Sequence, residues 1–364
     1  MPSSKITIDA RKLFDSGIGV VIQNVLRRLP SNWFMHLLVA DECGRNWVKE
    51  LRPNWETTIC RAAPYSISEQ WEIPARLRDS SLVWTPHYNV PLFSPVRQIT
   101  TVHDLLPLAH PKLFAGLKKQ AYARIFFQAA AWKSEKIICV SEFTASELRR
   151  FTGCSTSKIR VIPNGVDDRW FESQPPPEST KKPYFLFIGN VKPHKNLRRL
   201  VEAYGRIERE VAERLIIVGK REGFITGDNE VGNLASELGE RVEFTGWLED
   251  GCVRSLVAGA TALVFPSIYE GFGLPPLEAM AAGCPVLVAR AGSLPEVCGE
   301  AAIYFDPFNV DELADTLWEF SKLGCREKST IQERGRAHAA KFSWDRTAAG
   351  MKDIFHPYIE MSHE

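Results

Sequence analysis

Two glutamates eight residues apart, Glu270 and Glu278, bracket the string EGFGLPPLE in the second half of a 364-residue chain. The string follows the apolar run ATALVFP and opens a short helical pattern that Gly283 ends. A carboxylate accepts hydrogen bonds from sugar hydroxyls in paired geometry. Gly271 and Gly273 let the backbone pass close to a ligand. Pro275 and Pro276 suit a helix start, where a missing amide proton costs nothing, and the amides of such a start fit a diphosphate. Glu270, in the loop, is expected to hold a donor sugar; Glu278, in the first turns of the helix, a ribose. A second strand-to-helix crossing, FLFIGNVKPHKNLRRLVEAY (Phe185–Tyr204), places Lys195 just before a helix with Asn196 as its expected cap. A lysine there neutralises a leaving diphosphate as a point charge.

The first half carries weaker signals. His103 and Asp104 follow the apolar run QITT, a pairing that serves a metal, a general base or a sugar hydroxyl equally well. No further His/Asp/Glu cluster has ligand spacing and no Asp-x-Asp occurs, so no metal is expected; His110 reads as structural. Gly17 and Gly19 in DSGIGVVIQNVLRRL make half of a dinucleotide fingerprint, but Ile22 stands at its third glycine, which weakens a nicotinamide reading. Nucleophile-elbow and P-loop strings are absent.

Elements must carry these residues to one place. Short apolar runs predict strands at 5–8, 35–39, 81–84, 98–102, 136–140 and 159–162, with helices at 19–29, 115–132 and 142–151. Ser141 is placed to cap the last of these. The segment SQPPPESTKKP (173–183) breaks the pattern, because three prolines in a row suit neither a helix nor a central strand, and reads as a semi-rigid linker. Strands then resume at 184–188, 214–218, 242–244, 262–265, 286–289 and 303–305, with helices at 196–211, 229–238, 251–258, 276–282 and 310–323. This alternation predicts α/β architecture: two doubly wound parallel sheets whose carboxyl ends face a cleft.

Composition agrees. Length suggests two domains, and 45% hydrophobic with 24% charged residues is ordinary for globular protein. A net charge of +1 excludes a strongly basic nucleic-acid binder, yet residues 1–170 carry 23 Lys+Arg against 15 Asp+Glu while the remainder is acidic. The first half is thus expected to meet something anionic, such as a membrane surface or a phosphorylated ligand. Eight scattered cysteines without a Cys-x-x-Cys pair predict buried thiols in a reducing compartment. Without a signal-peptide core or a membrane-length apolar run, the expected location is cytoplasmic.

Together EGFGLPPLE, IGNVKPHKN, SGIG, HDLLPL, VSEFTASEL and PNGVD resemble, in order and over nearly the whole chain, the GT-B retaining glycosyltransferases of family GT4. The likeness is nearest to bacterial mannosyl- and rhamnosyltransferase-like members that build surface polysaccharides. The resemblance implies Rossmann-like domains at 1–172 and 184–342, a linker at 173–183, and a C-terminal helix (about 343–364) crossing back onto the first domain. It implies catalytic roles for His103, Lys195 and Glu270. Nucleotide contacts fall at Gly19, Asn190, Lys195, Trp247, Leu274 and Glu278, and donor-sugar contacts at His103, Glu270, Gly271, Phe272 and Gly273. Asn190 replaces the family's usual arginine, for which Lys192, His194 or Arg198 is expected to compensate, and Pro275 lacks an amide that relatives offer.

The implied reaction is metal- and cofactor-free transfer of a hexosyl residue, mannose from GDP-mannose by first expectation, to a glycan or diphospholipid-linked saccharide. The alternatives are a GT-B nucleotide-sugar epimerase and a non-catalytic nucleotide-sugar-binding protein. KLFAGLKKQAYARIFFQAAAWKSEK (112–136) is basic and partly amphipathic, so peripheral contact with the inner face of a membrane is a further expectation; no nucleic acid is expected.

Overall fold

The computed structural model describes residues 5–113, 116–177, 182–219 and 229–360. The chain forms two compact units, Met1–Gly165 with Ser343–Glu364, and Val166–Phe342. Part of the proline-rich segment, 178–181, lies outside the described residues.

The first unit is built on seven strands: β1 (Ile6–Asp9), β2 (Met35–Val39), β3 (Glu56–Ile59), β4 (Leu82–Thr85), β5 (Arg97–Val102), β6 (Lys136–Cys139) and β7 (Ile159–Val161). They pair in parallel in the order β3-β2-β1-β4-β5-β6-β7. Central strands such as β2 and β4 are buried throughout, which explains their unbroken apolar runs. β3 has no counterpart in the sequence reading, because ETTI is an edge strand with no fully buried residue and carries no apolar run. The helix Glu42–Leu51 escapes the same reading since only Gly44 and Val48 of it are buried. Ser141 caps its helix as expected, its side chain accepting from the Thr144 amide, and Gly153 closes the far end in the left-handed conformation.

The second unit holds β8 (Tyr184–Ile188), β9 (Arg214–Val218), β10 (Val242–Gly246), β11 (Ala262–Phe265), β12 (Val286–Ala289) and β13 (Ile303–Phe305), parallel in the order β10-β9-β8-β11-β12-β13. The helix Cys325–Ala339 is absent from the sequence reading; only Gly335 and Ala339 of it are buried, so it shows no apolar stripe. All eight cysteines are free thiols, but Cys43, Cys252 and Cys325 are exposed rather than buried. In each sheet the strand order reverses once, between β1 and β4 and between β8 and β11. Ligands of open α/β sheets bind beyond the carboxyl ends of the strands at such reversals.

The first unit closes at Gly165, earlier than residue 172, because the residues that follow pack with the second unit. Arg254 Nη1 and Arg336 Nη2 donate to the carbonyls of Arg169 and Phe171, at 3.3 and 3.0 Å. The C-terminal helix Trp344–Glu360 belongs to the first unit, with Phe355 5.5 Å from the buried Trp84 ring and Thr347 Oγ1 donating to the Pro163 carbonyl at 2.7 Å. A Cβ at Gly165 would lie 2.1 Å from the Trp344 backbone nitrogen, so only glycine fits under this helix. Gly165→Ala should therefore lower the denaturant midpoint by the equivalent of about 2 kcal/mol or more, as overpacking against backbone does; a midpoint within error of the parent would refute that packing.

Candidate functional site

The β8 and β11 ends of the second sheet carry the strongest cluster. After β8 the chain makes a 3-10 turn, Pro193–Lys195, then enters the helix Leu197–Ile207 through Asn196 in the left-handed conformation (φ 59°). Asn196 is not the side-chain cap that its type suggests. Its buried Nδ2 donates instead to the carbonyls of Pro266 (3.1 Å) and Pro307 (2.7 Å), bracing the loop after β11. The Ile268 amide adds a bond to the His194 carbonyl at 2.9 Å. Two loops distant in sequence are thus stitched together, and the stitching brings Lys195 Nζ within 2.6 Å of Glu270 Oε1. The ammonium also sits 5.2 Å from the Phe265 ring centre.

Glu270 is fixed from its other side. The Ser293 amide and Oγ lie 3.1 and 3.0 Å from the Glu270 carbonyl, and Oγ lies 2.8 Å from that of Phe272. Gly292 permits this, since a Cβ there would stand 2.7 Å from the same Glu270 carbonyl oxygen. Nothing in the spacing of the sequence announces Gly292 and Ser293 as partners of the loop. Gly273 (φ 104°) begins the helix Leu274–Ala281. With prolines at 275 and 276, the Leu274 amide is the sole N–H of its first three positions. Gly271 and Phe272 are buried beneath the loop.

Glu278 lies one turn further along. Burial pushes its carboxyl up to about 7; Asp250 and Asp167 add to the rise, while a hydrogen bond from Trp170 opposes it. These three neighbours also escape sequence reasoning, because they come from two distant helix starts. Trp247 follows β10 and is 69% exposed. Asn190 and Lys192 are exposed as well, whereas Arg198 pairs with Glu202 on its own helix (2.7 Å).

In the first unit His103 does follow β5, and Nε2 lies 2.9 Å from the Pro86 carbonyl. A carbonyl only accepts, so Nε2 carries the proton, and burial lowers the imidazole to about 4. His103 is accordingly a neutral ring with Nδ1 as an acceptor. Gly19 does not offer its amide to a phosphate: that amide donates to the Asp15 carbonyl at 2.7 Å within the helix Ser16–Arg28. A Cβ at Gly19 would strike the Leu13 carbonyl oxygen at 2.5 Å, so the residue serves backbone packing. Among the described residues no group of three or more His, Cys, Asp or Glu is placed to hold a metal ion, and no helix is long and apolar enough to cross a membrane.

Two family models match the chain, Glycosyltransferase Family 4 over residues 16–170 and Glycosyl transferases group 1 over residues 168–338. The O-antigen chain mannosyltransferase B of Escherichia coli is 32% identical over 265 residues, covering 68% of this chain and 67% of its own. The O-antigen chain mannosyltransferase RfbU of Salmonella typhimurium is 28% identical over 284 residues, covering 74% of this chain and 77% of its own. Among solved structures, Anabaena HepE in complex with UDP and glucose superposes with a TM-score of 0.78 at 18% identity, over 97% of this chain and 100% of its own, and so shares the GT-B fold.

The Glu278 environment has a measurable consequence. The folded carboxyl keeps its proton up to about 7 against 4.5 for the ordinary group, so its ionisation draws stability down as pH rises through that window. Glu278→Gln should raise the urea midpoint at pH 8 by the equivalent of roughly 1–3 kcal/mol and leave it unchanged near pH 4. An equal effect at both pH values would show that the carboxyl is not perturbed.

Proposed function

The chain belongs to the family 4 glycosyltransferases, and from that premise we propose that it moves a mannosyl residue from a nucleotide-diphosphate donor, GDP-mannose in first place, to a glycan or lipid-linked saccharide acceptor. The reading is supported by two mannosyltransferase relatives. The observation that carries it is the Lys195–Glu270 pair at the β8/β11 reversal, directly ahead of a glycine-rich helix start. In this role Lys195 and the Leu274 amide stabilise the charge that grows on the leaving diphosphate. Glu270 accepts hydrogen bonds from donor-sugar hydroxyls, Glu278 holds the ribose, and the exposed Trp247 stacks on the base.

Transfer with retention proceeds on one face of the sugar. The C1–O bond to the diphosphate breaks, the acceptor oxygen bonds to C1 from the same side, and the departing phosphate oxygen takes the acceptor proton. The protein supplies charge stabilisation and alignment. His103, neutral and bonded through Nε2 to Pro86, enters as a hydrogen-bond acceptor at Nδ1 toward the sugar, which suits orientation and not proton donation. We assign no metal to the reaction, so EDTA should leave turnover intact.

The acceptor side includes a membrane reading. The helix Leu117–Lys133 buries Ala123, Phe127 and Ala130 but exposes Leu117, Ile125 and Trp132 beside Lys118, Lys119 and Arg124. Apolar side chains flanked by cations suit an anionic lipid surface. One alternative has a distinct signature, a GT-B nucleotide-sugar epimerase, which converts donor without acceptor.

Lys195→Ala and Glu270→Ala should each cut transfer from GDP-mannose by about 100-fold or more, the scale of losing an electrostatic stabiliser, while the variants stay folded at the assay temperature. Near-normal turnover in either variant removes these roles, and acceptor-independent conversion of the nucleotide sugar would favour the epimerase. Replacing Lys118, Lys119 and Arg124 together by alanine should abolish low-salt binding to phosphatidylglycerol vesicles; unchanged binding excludes this helix as the contact.

A further inference from the structure

The first unit has its own strand reversal, between β1 and β4, and a crevice of about 10 Å³, room for one water and not for a sugar, lies there beside the exposed Tyr65 ring. Asp9, Arg11 and Lys12 line it from beyond β1, and Pro86, His87 and Asn89 from beyond β4. Pro86 orients His103 through its carbonyl; the other residues named here have no part in the donor chemistry above.

The walls are rigid and internally neutralised. Glu69 is wholly buried; it accepts from Arg11 Nη2 (2.9 Å), the Tyr65 amide (3.1 Å), Tyr122 Oη (3.3 Å) and the Asn89 side-chain amide. Arg11 also donates from Nε and Nη2 to the two oxygens of Asp9, at 2.8 Å each. Lys12 pairs with Asp15 at 3.2 Å and lies 4.9 Å from the Tyr65 ring centre. Burial first, and then the nearby Asp104, Glu69 and Asp15, pushes the Tyr65 hydroxyl well above its ordinary value, so it keeps its proton. Both nearby cations are therefore spoken for, and the carboxylates outnumber them, which disfavours an anionic ligand and suits an uncharged polyol.

Tyr65 is the outlying feature. Among the described residues two non-glycine positions have positive φ: Asn196, next to Lys195, and Tyr65, at 69°. An aromatic residue in that region costs on the order of 1–3 kcal/mol and persists where its surroundings over-determine it. Here the amide is held by Glu69 and the hydroxyl lies 2.6 Å from His87 Nε2. His87 Nδ1 accepts the Asn89 backbone N–H at 3.2 Å, so its proton is on Nε2 and is donated to the Tyr65 oxygen. Burial, together with Lys12, His103 and Arg11, keeps that imidazole neutral. The Tyr65 hydroxyl hydrogen is thereby directed away from His87, on a side chain that remains 43% exposed.

We propose that Tyr65 is an acceptor-binding residue: its ring packs against an uncharged pyranose of the acceptor and its hydroxyl donates to a sugar oxygen, in a site set by His87, Glu69 and Asn89. The proposal rests on the glycosyltransferase reading for the word acceptor; the saccharide site itself stands on the first unit alone.

The test uses the full chain with α-1,3-mannotriose as probe. Tyr65→Gly removes the ring and suits the positive φ, so the relief of backbone strain offsets part of the lost His87 and Lys12 contacts and the variant should stay folded. Its KM for mannotriose in transfer from GDP-mannose should rise tenfold or more, and Tyr65→Phe, which keeps the ring, should fall between. The KM for GDP-mannose and acceptor-free donor hydrolysis should not change. In parallel, saturation-transfer NMR should show mannotriose binding to the parent and its loss in Tyr65→Gly, a readout that survives even if no transfer from GDP-mannose is found. An acceptor KM within twofold of the parent overturns the proposal. An equal fall in donor hydrolysis overturns it too, because Tyr65 would then support the fold. Absence of mannotriose binding by the parent in NMR overturns it as well.

Discussion

The proposed donor site depends on one contact, the Lys195–Glu270 ion pair. Both side chains are mostly shielded from water, so either charge alone would carry a desolvation penalty that its partner now offsets. The pair forms only because Asn196 and the His194 carbonyl fasten the β8 turn to the β11 loop. The two charges therefore neutralise each other. In the proposed complex, a donor bearing a diphosphate and a sugar would give each member a new partner of matching character: phosphate for the ammonium, hydroxyl donors for the carboxylate. Binding then exchanges one set of charge-assisted bonds for another at little reorganisation cost.

The two units repeat this logic with opposite electrostatics. Each puts a left-handed non-glycine residue beyond its strand reversal, Tyr65 in one and Asn196 in the other, and each holds it by buried hydrogen bonds. In the second unit the charges are paired but lie beside a helix start, so an anion can recruit them. In the first unit Arg11 is clasped between Asp9 and Glu69, and His87 and His103 are neutral. On the readings proposed above, one face meets developing charge and the other reads hydroxyl geometry.

Much of this was legible in the residues. The inner strands β8, β9, β11 and β12 of the second sheet stand out because a parallel strand covered on both faces is apolar nearly throughout, whereas β10 and β13 are partly buried edges; five of the six span the expected residues. EGFGLPPLE and Lys195 announce themselves through glycine, proline and charge at strand ends. Elements that bury little are silent, hence β3 and the helix Cys325–Ala339. Gly19 has a use that its sequence setting does not announce: a Cβ there would strike the Leu13 carbonyl, so glycine is needed for packing as well. Asn196 misleads, since a cap residue and a left-handed bracket share the same short amide. Gly292, Ser293, Trp170 and Asp250 are long-range partners, and spacing along a chain carries no trace of them.

Glu278 shows how such long-range partners set chemistry. A glutamate in the first turns of a helix ordinarily gains from the helix dipole and stays ionised. Here desolvation, reinforced by Asp250 and Asp167, outweighs that gain and leaves the carboxyl poised near neutrality. A ribose in the proposed position brings two hydroxyl donors, which favour the ionised form. Nucleoside binding and loss of a proton are then coupled events. The buried indole of Trp170 already supplies one donor to the carboxyl, so the ribose completes a shell that the fold leaves partly filled. The group that destabilises the empty protein is thus the one with most to gain from an arriving nucleotide, and the cost of keeping it is recovered only when the site is occupied.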